Sequence, residues 1–470
     1  MEERDILVGG RDDDVWDERW KALSLAIDTM FNDYGQVPDT LRLKTLRPLL
    51  LCLKAFAGRR FADFHSGFLS KRLITWPDFP PDAVLSSIQD QIGFDVAAID
   101  RAILQRVSGT SLMKERLALA DRLAWSALQL AVSAGLLPAN NSPTVVTYFQ
   151  KAPEIRVIHY APVALLGIPY SSQQLDRDLL ATPHEVGHYV FGHGTYRGQP
   201  LRKYLVNQLA GIVLETDSRI YQMLLSWLDE LFADVYGVCV AGPVMALDFQ
   251  DLQLHAGREG FSTDDKDHPT PVLRPNIHVQ ILRKRDPERW GTWADVLERN
   301  WDVRLQERGR IDNGHKFDHF IRDNQSVAIV ETISESANAH DDANPLDRLV
   351  TIILDVLKAG STHSWYSNLP DAPLLGDQSL DLDALALTTE QLYQAFHDFV
   401  LHPPVVEPEQ LDPLMAVPLS TAAEQNKVVE QWLDVDQLRF PAGGNVAPET
   451  WEPFFDADGW TTEGPNDRWP

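Results

Sequence analysis

Two histidines four residues apart, with a glutamate directly after the first, carry the chemistry of this chain: His184-Glu185-Val186-Gly187-His188. On a helix, residues i and i+4 stand one turn apart on one face, so both imidazoles can reach a single metal ion. Glu185 then points into the same cleft and can take a proton from a metal-bound water. A third ligand from a second helix would fill three corners of a tetrahedron and leave the fourth for water or substrate, which is the arrangement of a catalytic zinc ion. Glu230, in Glu230-Leu231-Phe232-Ala233-Asp234, is well placed to be that ligand.

Glu230 and Asp234 are also spaced i, i+4 and share a helix face. A carboxylate beside a ligating histidine fixes its tautomer and orientation, and Asp234 and Asp229 are the candidates for that role. The competing reading is a row of solvated acids on an amphipathic helix. Against it, these acids sit beside Trp227 and Ala233 in an otherwise apolar stretch, where a buried carboxylate requires a partner.

A third block follows, His268-Pro269-x-x-x-x-Arg274, and the first extends to Gly192-His193. Together the three resemble the gluzincin metallopeptidases. More narrowly, they resemble the CAAX prenyl endopeptidase and HtpX heat-shock protease group, which shows HExGHxxxGH, ExxAD and HPxxxxR in this order. The resemblance covers roughly residues 155 to 280. ImmA/IrrE-like proteases share a similar first block and a later glutamate, and the downstream HPxxxxR separates this chain from them. The resemblance implies a zinc-dependent peptidase with His184, His188 and Glu230 on the metal and Glu185 as general base. It also places the third block near the metal. There His268 or Arg274 would stabilise an oxyanion or grip a substrate carboxylate, or the block would only brace the metal helices; Arg274 fits the bracing role better. In metallopeptidases of this kind an edge strand beside the metal helix pairs with extended substrate.

The metzincin pattern HExxHxxGxxH fails on spacing. It requires glycine at 191 and histidine at 194, where this chain has Phe191 and Gly194. His193 therefore reads as a histidine near a helix C-terminus, close to unpaired carbonyls.

The elements that must position these residues follow from periodicity and punctuation. The spacing predicts helices over Trp20 to Tyr34, Leu41 to Phe61 and Ser111 to Leu137. Ala139-Asn140-Asn141-Ser142-Pro143 marks a break. Val145 to Phe149 and Ile155 to Tyr160 are β-rich and predict a small sheet. Ser171 to Gln174 reads as a capping box opening a helix from Leu175 to His193, with Pro183 inside it. That helix either kinks at Pro183 or restarts there with Thr182 as cap. A restart would let Glu185 cap backbone amides and lose its role as base, so a kinked or broken helix with Glu185 free is expected. Another helix is predicted over 200 to 216. The next runs from Asp217 or Ser218 to about Ala241, stopped by Gly242-Pro243. His268 to Pro271 opens a helical segment carrying Arg274 and His278. Further helices are expected over Trp290 to Leu305, Leu346 to Ala359 and Thr389 to Leu401.

The expected fold is mostly helical α+β: a small sheet on a two-helix metal-binding core with helical flanks. The blocks are a helical region over 1–140, the catalytic domain over 141–285, a helical region over 286–405 and an acidic tail over 406–470, rich in proline and tryptophan. Asn338 to Asp342 reads as a solvated loop rather than a second metal site. The tail, with Trp451, Trp460 and Trp469, is expected to have little regular structure, and its aromatics are candidates to dock over the cleft as a latency device.

Composition narrows the function classes. The chain has 470 residues, with 68 Asp and Glu against 42 Lys and Arg, a net charge of −26. Such an excess of acid argues against nucleic acid, whose phosphates need clustered Lys and Arg, and against anionic membrane surfaces. The longest apolar runs are far below bilayer-spanning length. The N-terminus lacks a basic region followed by an apolar run, so a cytoplasmic location is expected. Cys52 and Cys239 read as buried free thiols. The expected partner is a protein or peptide substrate, with a regulatory partner on the helical flanks as a further expectation. Two other readings stay open. One is a catalytically silent, metal-braced binding module, which would need His193 or His268 as fourth ligand; the other is a latent regulatory protease opened by a partner.

Overall fold

Apolar side chains at three- and four-residue spacing leave water together only when the backbone coils, and four long helices result. In the computed structural model these are α1 (Asp12–Tyr34), α2 (Leu43–Leu69), α3 (Pro81–Ser108) and α4 (Ser111–Ser133). The structure describes residues 12–37, 42–73, 80–137, 143–156, 158, 160–213, 218–257, 260–261, 267–311, 345–360, 365, 382–412 and 419–432. The break at 139–142, the Asn338 to Asp342 segment and the tail with Trp451, Trp460 and Trp469 lie outside these residues. α3 was not singled out by the sequence pattern. It opens with Pro81, whose fixed φ suits a first helical turn.

The fold is mostly helical α+β, and the chain forms two compact units that interleave in sequence. The first comprises Met1–Lys114, Val157–Leu165 and Glu407–Pro470, and the second Glu115–Arg156 and Leu166–Val406.

In the first unit α1, α2 and α3 close on a core that includes Trp16, Phe61 and Leu85, with Trp20, Phe64 and Phe68 around it. Arg42, just before α2, adopts a left-handed conformation at φ 73° and is buried. Its amide donates to Asp412 Oδ2 at 2.5 Å, its guanidinium lies 3.6 Å from Oδ1 and also donates to the Leu411 carbonyl, and Thr45 Oγ1 donates to Oδ1 at 2.5 Å. A late segment of the chain is thereby fastened to the start of α2.

β1 (Thr144–Gln150), β2 (Glu154–Arg156) and β3 (Val163–Pro169) form a sheet in the order β1-β3-β2. The second unit contains β1, β2, the later part of β3 and the helices up to residue 406. β3 is a strand the sequence reading missed, because Pro162, Gly167 and Pro169 read as punctuation around it. β1 is buried throughout and β3 up to Ile168, so both are continuous apolar runs rather than alternating ones. β2 is an edge strand, half-buried and packed against the first metal-motif helix.

That helix, α5 (Thr182–His193), does not begin at Leu175. Two 3₁₀ turns, Tyr170–Gln173 and Asp176–Leu179, fill the space where a longer helix was predicted. α5 starts afresh with Pro183 in its first turn and without a side-chain cap, so Glu185 does not cap the helix. β4 (Thr195–Tyr196) and β5 (Gln199–Pro200) make a short antiparallel ribbon leading into α6 (Leu201–Val213). The single helix expected from residue 217 to 241 is broken at fully buried Trp227 into α7 (Ser218–Ser226) and α8 (Leu228–Ala241). α8 ends at Gly242, whose φ of 65° a glycine adopts at little cost. Pro243 then starts α9 (Pro243–Gln253) at once, another helix the sequence reading did not separate. α10 (Arg274–Arg285), α11 (Pro287–Ile311), α12 (Pro345–Leu357) and α13 (Leu382–Leu401) complete the unit. The first unit also includes the late helices α14 (Pro408–Leu411) and α15 (Ala422–Trp432), the latter against α2.

α5 and α8 cross closely. At Gly187 an added Cβ would stand 2.8 Å from the Ala233 backbone and 3.2 Å from Tyr236 Cβ, so only glycine permits this approach. Tyr236 also anchors α8 by donating its hydroxyl to the Ala127 carbonyl at 2.6 Å. Cys52 and Cys239 are both buried and unpaired. Among the described residues no helix is long and apolar enough to cross a membrane.

Candidate metal centre

The close crossing of α5 and α8 brings the two sequence motifs face to face. His184, His188 and Glu230 each offer a ligand atom, and the three atoms lie within 4.8 Å of one another. His184 Nε2 is 3.1 Å from His188 Nε2 and 3.4 Å from Glu230 Oε2, and His188 Nε2 is 3.5 Å from Glu230 Oε1. Ligands about 2.0–2.1 Å from a tetrahedral zinc ion stand roughly 3.3 Å apart. The observed edges are of that size, and no other such group of His, Cys, Asp or Glu occurs among the described residues.

The outer nitrogen of each histidine faces a carboxylate. His188 Nδ1 bonds Asp229 Oδ1 at 2.7 Å, and His184 Nδ1 lies 3.1 Å from Asp234 Oδ1. Each contact leaves Nε2 facing the other grouped atoms, the orientation a metal-ligating histidine requires. Asp234 is fully buried and gripped by Arg274, whose Nε donates to Oδ2 and Nη2 to Oδ1, both at 2.8 Å. Arg274 Nη2 also donates to Glu230 Oε2 at 2.7 Å. One guanidinium thus ties Glu230 to Asp234, the carboxylate beside His184. Its charge also lies over the ring of Phe249, 5.1 Å from the centroid, and the same ring meets His184 at 5.2 Å.

Burial opposes ionisation of Glu230 and Asp234. Arg274 and the neighbouring histidines outweigh that penalty and hold both carboxyls well below the usual range. Burial likewise disfavours charge on His188, yet Asp229 and Glu230 carry it up to about 10. His184 is also raised, against its own burial, by Asp234 and Glu230. The donor set of two imidazoles and a carboxylate fits zinc.

Glu185 Oε2 accepts a hydrogen bond at 2.9 Å from the Ile155 amide of β2. His268 is half-exposed, with Nε2 3.3 Å from Glu230 Oε1, and it is not one of the grouped ligands. His193 turns away: its Nδ1 meets the Tyr189 carbonyl at 3.1 Å and its ring stacks on Tyr189. Tyr170 stacks on Phe149, and the Tyr160 hydroxyl donates to Asp95 within the first unit. Sequence reasoning missed Ile155 and Phe249, for which no local signal exists. It met His278 only as a residue of its segment, although His278 stands i+4 from Arg274 and shares its face.

Compared with known proteins, the chain matches no family model, no curated protein and no solved structure.

Proposed function

We propose that this protein is a zinc-dependent metallopeptidase of the gluzincin type, acting on a protein or peptide. The observation that carries the reading is the His184, His188 and Glu230 group, with the outer nitrogen of each histidine facing a carboxylate. A zinc ion held by these three groups would supply a Lewis acid and an acidified water. Glu185, on the same helix, would be the general base, taking a proton from the attacking water and passing it to the leaving amine. Asp234 and Asp229 keep the two histidines in the ligating tautomer. His268, half-exposed beside Glu230, is the donor for the oxyanion that forms from the substrate carbonyl. β2, the half-buried edge strand beside α5, is the place for an extended peptide to pair.

A closed structural site needs four protein ligands. His193 faces Tyr189, and His268 is not among the grouped ligand atoms, so an open, catalytic site is favoured. The bond between Glu185 and Ile155 supports a resting form of the enzyme, in line with the latent-protease reading. A cytoplasmic setting remains part of the proposal.

The test has two parts. Wild type purified without added metal should carry about one zinc per chain by elemental analysis, and Glu230→Ala should lose most of it. Glu185→Gln should keep the metal and lose hydrolysis by about 10²–10⁴-fold. Equal zinc in wild type and Glu230→Ala, or full hydrolysis by Glu185→Gln, would refute the assignment.

A further inference from the structure

α10 carries one buried side chain that stability does not account for. His278 is fully buried, in a helix whose neighbouring buried residues Ile277, Val279, Ile281 and Leu282 are apolar. Neither of its ring nitrogens makes a hydrogen bond of good geometry, a condition that costs stability and that an apolar side chain of similar size would avoid. Its ring meets Phe249 edge-on with centroids 4.9 Å apart, and its Nε2 is 3.3 Å from Asp234 Oδ1.

That oxygen is the one His184 uses. Asp234 Oδ1 lies 3.1 Å from His184 Nδ1 and 2.8 Å from Arg274 Nη2, while Oδ2 takes Arg274 Nε. Three nitrogens, from α5 and from two turns of α10, converge on one atom. A carboxylate enclosed by donors can only accept. A proton on the His184 nitrogen facing it would leave Nε2 with its lone pair toward His188 and Glu230. Arg274 divides its fork between Asp234 and Glu230. His278 touches Asp234 and not Glu230, so it holds the carboxylate independently of the third ligand.

We propose that His278 is a positioning residue of the metal centre: by holding Asp234 Oδ1 against His184 Nδ1, it fixes which nitrogen of His184 is offered to the metal. The inference rests on the metal-site reading of the previous subsection. His278 itself touches neither a ligand atom nor a reacting group.

The experiment uses the full chain as wild type, His278→Leu and His278→Gln, each titrated with Co²⁺ as probe. Glutamine can place an amide nitrogen near the position of Nε2, whereas leucine fills the space without a donor. Cobalt affinity is read by chelator competition, ligand geometry by the visible absorption bands, and folding by the metal-free thermal midpoint. His278→Leu is expected to melt no lower than wild type without metal, to bind cobalt about 10–100-fold more weakly and to show shifted bands. His278→Gln should recover both affinity and spectrum. A folded His278→Leu with wild-type affinity and spectrum would overturn the proposal and leave His278 as packing. If the leucine variant does not fold, His278→Asn, whose amide stops short of Asp234, makes the same comparison with His278→Gln. Wild type that takes up no cobalt would overturn the metal-site reading itself, an outcome separate from wild type and His278→Leu binding alike.

Discussion

His188 is the residue through which pH acts on this centre. Its ring is held up to about 10 because Asp229 and Glu230 outweigh burial. A histidine raised above its ordinary value near 6.5 stabilises the metal-free fold fully below that value, and the contribution is lost as pH rises through about 10. At pH 7–8 the ring is therefore protonated, and an incoming metal must displace that proton. Uptake of one zinc ion at pH 7.5 is expected to release about one proton, measurable by calorimetry in buffers of different ionisation enthalpy. Apparent affinity should rise about tenfold per pH unit through this range. Asp229→Asn should reduce the proton release, and metal uptake by wild type with no proton release would contradict the electrostatic account. At this scale the sequence was informative for a simple reason. Ligands spaced i, i+4 declare a shared helix face, which marks His184 with His188 and Glu230 with Asp234. Phe249 and Ile155 join the site only through tertiary packing, and nothing in their neighbours reveals it.

Between elements, the centre depends on how closely α5 and α8 approach. Gly187 has no room for a methyl group, since an added Cβ would stand 2.8 Å from the Ala233 backbone. Gly187→Ala must push the helices apart and is expected to cost about 1–3 kcal/mol. It should also weaken zinc binding, because His184 and His188 ride on one helix and Glu230 on the other. Urea unfolding and chelator competition on the same variant test both effects. Loss of stability with unchanged affinity would show that the ligand spacing survives the separation. Helices were legible where period and punctuation agreed, as in α10 opening after His268-Pro269, or α8 stopping at Gly242-Pro243. They were illegible where a tertiary contact overrode local signals. Trp227 breaks a helical pattern without glycine or proline because its large side chain is buried at the bend. The Ser171 to Gln174 capping pattern leads into 3₁₀ turns instead of one long helix. β3 hides between prolines because a buried central strand shows no alternation.

For the molecule as a whole, the net charge of −26 is the broadest feature of the sequence. It marks a strongly acidic solute but says little about the fold. Within the first unit a long-range contact joins Arg42 to Asp412. Asp412→Ala removes the carboxylate beside a guanidinium that is only 1% exposed. The expected loss is about 3 kcal/mol in chemical denaturation, and Asp412→Asn should recover part of it by keeping the acceptor for Thr45. If Asp412→Ala unfolds at the wild-type midpoint, the contact is incidental to the first unit.

The same contact has a consequence for the order in which the chain comes into being. Arg42 and Asp412 are 370 residues apart. A ribosome adding about 5–20 residues per second needs roughly 20–75 seconds to bridge that interval. Throughout that time the N-terminal helices exist without the segment that fastens them, while the unit bearing the candidate metal ligands is complete by residue 406. The part of the protein translated first is therefore the part that finishes last.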